Sequence, residues 1–282
     1  MLSEAEAKEI MKGGLGKAEL EFVTSLTAQL YWIIKEGDSG LKVRNGSAFF
    51  LDAGEGPFGV TAYHVLKKLN EGRSMSKVIA CQIGHDLVFD IDGKNSIIDA
   101  HDDIDIATFK ITIDEIKSIN KTILTGYQKT WPPKPPMENR GIYFSGFPET
   151  ERIGPSLNNL IDFGAAPLSG IASSISDLDV SSRIEREHLI NVMGKGLLPE
   201  NFDFSGISGA PMLTVIESSS GLRSWSLAGV IYKGPNTSEE PSEAIAGLEI
   251  IKARRAYFIQ PNGRLNTQLW ESLNFSKKRN TH

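Results

Sequence analysis

From about Thr27 onward the chain consists of short runs of β-branched and aromatic residues cut by Gly, Asn, Asp and Pro. Leu30-Tyr31-Trp32-Ile33-Ile34, followed by Glu36-Gly37-Asp38, sets the pattern. So little chain between runs leaves no room for crossover helices, which points to antiparallel pairing in a barrel or sandwich rather than βαβ units. Strands are predicted over residues 47–51, 59–61, 78–83, 87–91 and 104–111, then over 141–145, 157–163, 168–174, 188–193, 211–215, 226–232 and 245–250. Helix is expected to be scarce.

The segment Trp131-Pro132-Pro133-Lys134-Pro135-Pro136 lacks an N–H donor at four positions and favours extended polyproline geometry, so it reads as a linker between two β-units. The predicted organisation is a helical appendage over residues 1–26, a first β-unit over 27–126, the linker over 127–137, a second β-unit over 138–262, and a helix and tail over 263–282. In the appendage, Ser3 and Glu6 form a capping box and Gly13-Gly14 ends the helix. Near the other end Leu269, Trp270 and Leu273 fall at helical spacing within residues 266–273.

Composition narrows the function. The formal net charge of −5 gives no basic footprint for nucleic acid or anionic lipid, so neither partner is expected. Cys81 is the only cysteine, which excludes an internal disulfide and fits a reducing compartment. Residues Met1 to Glu6 are acidic where a signal peptide would be basic, and no apolar run reaches the ~18 residues of a membrane span. A cytoplasmic protein is expected.

Three short segments carry candidate chemistry: Thr61-Ala62-Tyr63-His64-Val65, Asp105-Ile106-Ala107 and Gly206-Ile207-Ser208-Gly209-Ala210. A serine hydroxyl becomes a useful nucleophile when an imidazole takes its proton and a carboxylate orients that imidazole. Ser208, His64 and Asp105 are candidates for these roles. Glycines on both sides of the serine let backbone approach a substrate carbonyl, and the Gly206 and Ser208 amides are the candidate oxyanion donors. Each segment also has a plain structural reading, as a β-turn, a structural histidine and a solvated charged edge. Asp105 differs from its acidic neighbours in being framed by Ile104, Ile106 and Ala107.

Other chemistry fits poorly. His101, Asp102, Asp103 and Asp105 lack the spacing of zinc or EF-hand sites, and Lys12 to Ala18 has the wrong glycine spacing and no hydroxyl for a phosphate loop. No metal or other cofactor is expected. Cys81, in an apolar run, reads as an inert buried thiol.

Taken together these motifs resemble the trypsin-like serine peptidases of the chymotrypsin fold, in particular their disulfide-free bacterial branch. The resemblance covers roughly residues 27 to 260. Gly46 to Leu51 resembles the strand before the histidine, Thr61-Ala62-Tyr63-His64 the histidine motif, and Asp105-Ile106-Ala107 the aspartate motif. Gly146-Phe147-Pro148 resembles a segment early in the second barrel. Gly206 to Pro211 resembles the nucleophile loop, and Leu227 to Ile231 the strand that follows it.

The resemblance implies an all-β fold of two six-stranded antiparallel barrels with short terminal helices and the site in their cleft. It also implies Ser208 as nucleophile, His64 as general base and then acid, and Asp105 as the group that fixes the imidazole. Tyr232, Lys233 and Gly234 would pair with an extended substrate, and Phe202 with Tyr232 and Lys233 would wall the specificity pocket.

Two departures stand out. Ile207 replaces the Asp that pairs with a newly cut N-terminus in animal digestive relatives, and no acidic group stands at Phe202 to favour Lys or Arg. The expected function is an intracellular serine endopeptidase acting on extended protein or peptide segments. Its activity would be released when a partner protein or the substrate orders the loop from Gly194 to Gly206. The alternatives are a double-barrel binding or scaffold module without efficient catalysis, with Tyr63 crowding His64, and an esterase using the same three residues.

Overall fold

The computed structural model describes residues 4–36, 40–126, 130–153, 161–185, 189–192, 194, 196–199, 202–217, 223–235 and 249–279. Two helices, α1 (Glu4–Lys12) and α2 (Gly14–Leu26), precede the first strands, β1 (Thr27–Lys35), β2 (Leu41–Asp52) and β3 (Pro57–Thr61). Helix α3 (Tyr63–Ser74) leads to β4 (Val78–Ile83), β5 (Leu87–Val88), β6 (Ile97–His101) and β7 (Ile106–Lys110). Helix α4 (Ile113–Ser118) and the two-residue β8 (Leu124–Thr125) complete this half.

The second half opens with β9 (Gly141–Gly146) and a small ladder of β10 (Arg152–Ile153) with β11 (Asp162–Phe163). It continues through β12 (Ala166–Ile175), β13 (Asp179–Ile184), β14 (Pro211–Glu217), β15 (Arg223–Lys233) and β16 (Glu249–Arg255), and ends in α5 (Thr267–Arg279).

The second sheet is a closed six-stranded antiparallel barrel in the order β12-β13-β16-β15-β14-β9, closed by the pairing of β9 with β12. The first sheet runs β5-β4-β1-β2-β3-β7-β6, with β8 added in parallel to β2. Its ladder does not close among the described residues, so of the two expected barrels one is shown.

The reason is local. Where a strand was expected over 87–91, pairing stops after Val88 and the chain enters a polar turn. There Asn95 N–H donates to Asp90 O (2.8 Å) and Asp90 N–H to Asn95 Oδ1 (3.0 Å). Just past the end of β5, Phe89 and Ile91 are buried in the same core as Phe109 and Ile111. The strand expected over 188–193 is absent from residues 189–192, where Val192 N–H turns back onto Ile190 O (3.0 Å) as in a γ-turn. Residues 157–160 and 245–248 of two other expected strands lie outside the described residues.

Helix is also less scarce than expected. Gly13-Gly14 does not end the helical segment: Gly13 has extended backbone (φ −78°, ψ −173°) and is the N-cap of α2. Helix α2 buries Leu20, Val23 and Leu26 in a core shared by both halves. Strand β2 alternates between two cores, as a two-residue period requires. Ala48 and Phe50 enter the first sheet's own core, while Phe49 and Leu51 enter the shared one beside Leu213, Leu227 and Val230 of the barrel. Each such Leu or Phe contributes about 1.5–3 kcal/mol of burial. The proline segment forms neither strand nor α-helix, and its Trp131 indole N–H donates to Ile259 O (2.7 Å).

Candidate active site

His64 is the second residue of α3, which begins two residues after the end of β3. The spacing of Val65, Leu66 and Leu69, all buried in the first sheet's core, is the helical signal in this segment. A helix start leaves N–H groups unpaired, and the N-cap Ala62 has no side-chain oxygen to offer them. Asp105 supplies one: its Oδ1 accepts from His64 N–H (2.9 Å) and its Oδ2 bonds His64 Nδ1 (2.8 Å). A carboxylate only accepts, so the shared proton belongs to Nδ1 and the ring's Nε2 is left as the basic atom.

Asp105 is aimed by backbone that few residues adopt. Its φ of 55° is left-handed, and its N–H closes a turn onto His101 O (3.0 Å) and Asp102 O (3.1 Å). Ile104 and Ile106 on either side are fully buried and pin the turn.

The Ser208 loop is stitched to the first sheet through Ser47. Ser47 N–H donates to Ser208 O (2.8 Å), Ser47 Oγ–H donates to Gly206 O (2.9 Å), and Phe147 N–H donates back to Ser47 Oγ (3.1 Å). Asn45 Nδ2 holds the neighbouring Phe147 O at 2.6 Å. Both flanking glycines are required. Gly209 has φ of 93°, and a Cβ there would lie 1.9 Å from Ser47 O. At Gly206, with φ of 100°, a Cβ would lie 2.5 Å from Phe147 O. Among the described residues the N–H groups of Gly206 and Ser208 donate to no protein acceptor, as oxyanion donors must.

His64, Asp105, Gly206 and Ser208 line one open cleft of about 1020 Å³. The structure holds no hydrogen bond between Ser208 Oγ and the His64 ring. From His64 the cleft continues along one face of α3, past Lys68, Glu71 and Gly72, opposite Trp32 and Ile34 of β1 and Arg44 of β2. Tyr63 does not displace the imidazole from Asp105; its half-buried ring packs against the first sheet's core, with Lys67 Nζ 6.0 Å from its centroid.

Of the expected substrate-binding residues, Tyr232 and Lys233 line the cleft, whereas Phe202 and Gly234 do not. Phe202 is 6% exposed and packs edge-on against Phe204 (4.9 Å between ring centroids) inside the barrel core, because an aromatic ring without a polar tip gains more there than at a wet wall. Burial, with Asp179 next to it, holds the Tyr232 phenol above its ordinary range. Burial pushes the Cys81 thiol up to about 12. Such a thiol is no nucleophile at neutral pH.

The sequence reading missed Asn45, Ser47, Trp32, Arg44 and Lys68. Asn45, Trp32, Arg44 and Lys68 lie outside the motifs, and Ser47, although it lies in the Gly46–Leu51 segment, acquires its role from partners about 100 residues or more away. Among the described residues no group of three or more His, Cys, Asp or Glu is placed to hold a metal ion, and no helix is long and apolar enough to cross a membrane.

No protein-family model matches the chain, and no curated protein matches it. Among solved structures it is similar to Deg5, with 18% identity over 82% of this chain and 87% of that one and a TM-score of 0.42. It is also similar to the serine protease domain of Sesbania mosaic virus polyprotein, with 14% identity over 83% and 89% and a TM-score of 0.39. At this distance the chemistry of the site has to be read from its own residues.

Proposed function

We propose that the chain is a serine endopeptidase that cleaves extended protein segments through an acyl-enzyme. The observation that carries this reading is His64, held by Asp105 at its backbone N–H and at its ring Nδ1, in the cleft that Ser208 also lines. In this reading Ser208 Oγ attacks the scissile carbonyl carbon as its proton passes to His64 Nε2. The carbonyl oxygen, now an anion, is received by the Gly206 and Ser208 N–H groups. The imidazolium, stabilised by Asp105, then gives its proton to the departing amine. Water repeats the sequence on the ester and releases Ser208.

The end of β15 at Tyr232 and Lys233 serves as the strand that a substrate backbone joins. The first sheet is the counterpart of the family's first barrel, left open at the Asp90 turn. A single half-buried thiol fits a cytoplasmic setting.

The missing Ser208–His64 bond supports a second feature, a resting form completed by substrate or a partner protein. The expected result is fluorophosphonate labelling of Ser208, seen as an intact-mass adduct, that is lost in Ser208→Ala and His64→Ala. A resting form labels faster when cell lysate or a peptide library is added. Absence of labelling under all these conditions would leave a binding or scaffold module instead.

A further inference from the structure

The His64–Asp105 pair works only if the turn from Asp102 to Asp105 keeps its shape. Within its own half the turn is tied by the Asp105 N–H, by Ile104 N–H donating to His101 Nδ1 (3.3 Å) and by Lys67 Nζ donating to Asp102 Oδ2 (3.0 Å), while the carbonyls of Asp103 and Ile104 are taken from outside. Both go to one side chain of the barrel, Arg254 of β16, 150 residues from Ile104. Arg254 Nε donates to Ile104 O (2.8 Å) and Nη2 to Asp103 O (3.2 Å), while Nη1 pairs with Asp179 Oδ1 of β13 (2.6 Å). The guanidinium also lies against the rings of Tyr232 (4.5 Å to the centroid) and Trp270 of α5 (4.6 Å).

The Arg254 side chain is 9% exposed, and burying a cation costs several kcal/mol unless its donors are matched. Here the match is a planar fork whose edges each meet an oxygen. A lysine ammonium offers three donors from one point and cannot span that geometry. Asp179 fixes the fork, and the fork holds the two residues immediately before Asp105.

We infer that Arg254, held by Asp179, is a positioning residue for the His64–Asp105 pair, so that the barrel sets the aim of a carboxylate in the other half. The inference rests on the proposed function only for its kinetic readout. His64 is met by Asp105 from the turn, and Lys68 of α3 and Tyr232 of the barrel line the same cleft. The test uses Arg254→Lys, Arg254→Met and Asp179→Asn in the full chain, each checked for fold by near-ultraviolet circular dichroism and thermal melting.

The first readout is the proton resonance of His64 Nδ1–H, assigned by its loss in His64→Gln and measured in a Ser208→Ala background. It is expected to vanish or broaden in the Arg254 variants. The second readout is labelling rate against pH, expected to fall about 100-fold, the cost of displacing a catalytic group by ~1 Å. The acid-side midpoint should move to lower pH, because an imidazolium that loses its carboxylate is less stable. Loss of a cation acting only through space would move it up in Arg254→Met and leave Arg254→Lys unchanged.

Folded variants with wild-type resonance and midpoint would overturn the inference, and should Arg254→Met fail to fold, Arg254→Lys decides. A wild-type chain that shows the resonance but never labels would count against the proposed chemistry and not against Arg254.

Discussion

One carboxylate of Asp105 serves both the first turn of α3 and the His64 ring, so its removal has separable effects. Asp105→Asn is expected to slow fluorophosphonate labelling by about 10⁴-fold, because an amide that donates to Nδ1 stabilises the wrong tautomer. Its melting temperature should fall only slightly, since the amide oxygen still accepts from the helix N–H. Gly209→Ala is expected to do the reverse of a clean chemical knock-out. With a Cβ aimed at Ser47 O, the loop must shift, and stability and labelling should fall together in a melt and a rate measured on the same sample. The three candidate residues were legible because each sits in a short motif whose chemistry is local. Phe202 was not: whether a phenyl ring walls a cleft or fills a core depends on Phe204 and the barrel behind it, which no spacing reveals.

Among elements, strands were easier to read than helices, and the misses have physical causes. A glycine pair reads as a stop in sequence, whereas Gly13 opens α2 with ordinary extended backbone. Helix α4 carries its own signature, Thr112 and Glu115 in a reciprocal capping box, with Glu115 N–H donating to Thr112 Oγ1 (3.2 Å) and Thr112 N–H to Glu115 Oε2 (2.9 Å). Six residues are too few to show a periodicity, so only the box could have found it. Thr112→Ala should cost about 1 kcal/mol in denaturant unfolding while leaving labelling unchanged, since α4 lines no part of the cleft. Strand β13 escaped notice because its Ser181-Ser182 pair carries little strand propensity; what recruits it is a six-residue register against β16.

At the scale of the molecule, the halves meet through α2, β2 and the barrel, and that junction holds a half-buried cation. Lys121 Nζ donates to Thr24 O (3.2 Å) and lies 5.5 Å from the Phe147 ring centroid, and burial pushes its pKa down to about 8. In the unfolded chain Lys121 titrates near its ordinary 10.5. Its contribution is therefore complete above 10.5, is lost as pH falls towards 8, and stays lost below. The wild type should gain stability relative to Lys121→Met between pH 8 and 10.5, read as the difference in melting temperature between the two. A flat difference over that window would show that the ammonium is solvated.

The Ser47 stitch has a consequence in time. A ribosome delivers His64 and Asp105 early, but the serine backbone that Ser47 grips arrives about 160 residues after it. Arg254 and Trp270 emerge later still. On the proposed function, the first half of a nascent chain carries a base with no nucleophile to activate, and cleavage waits until the second half is made.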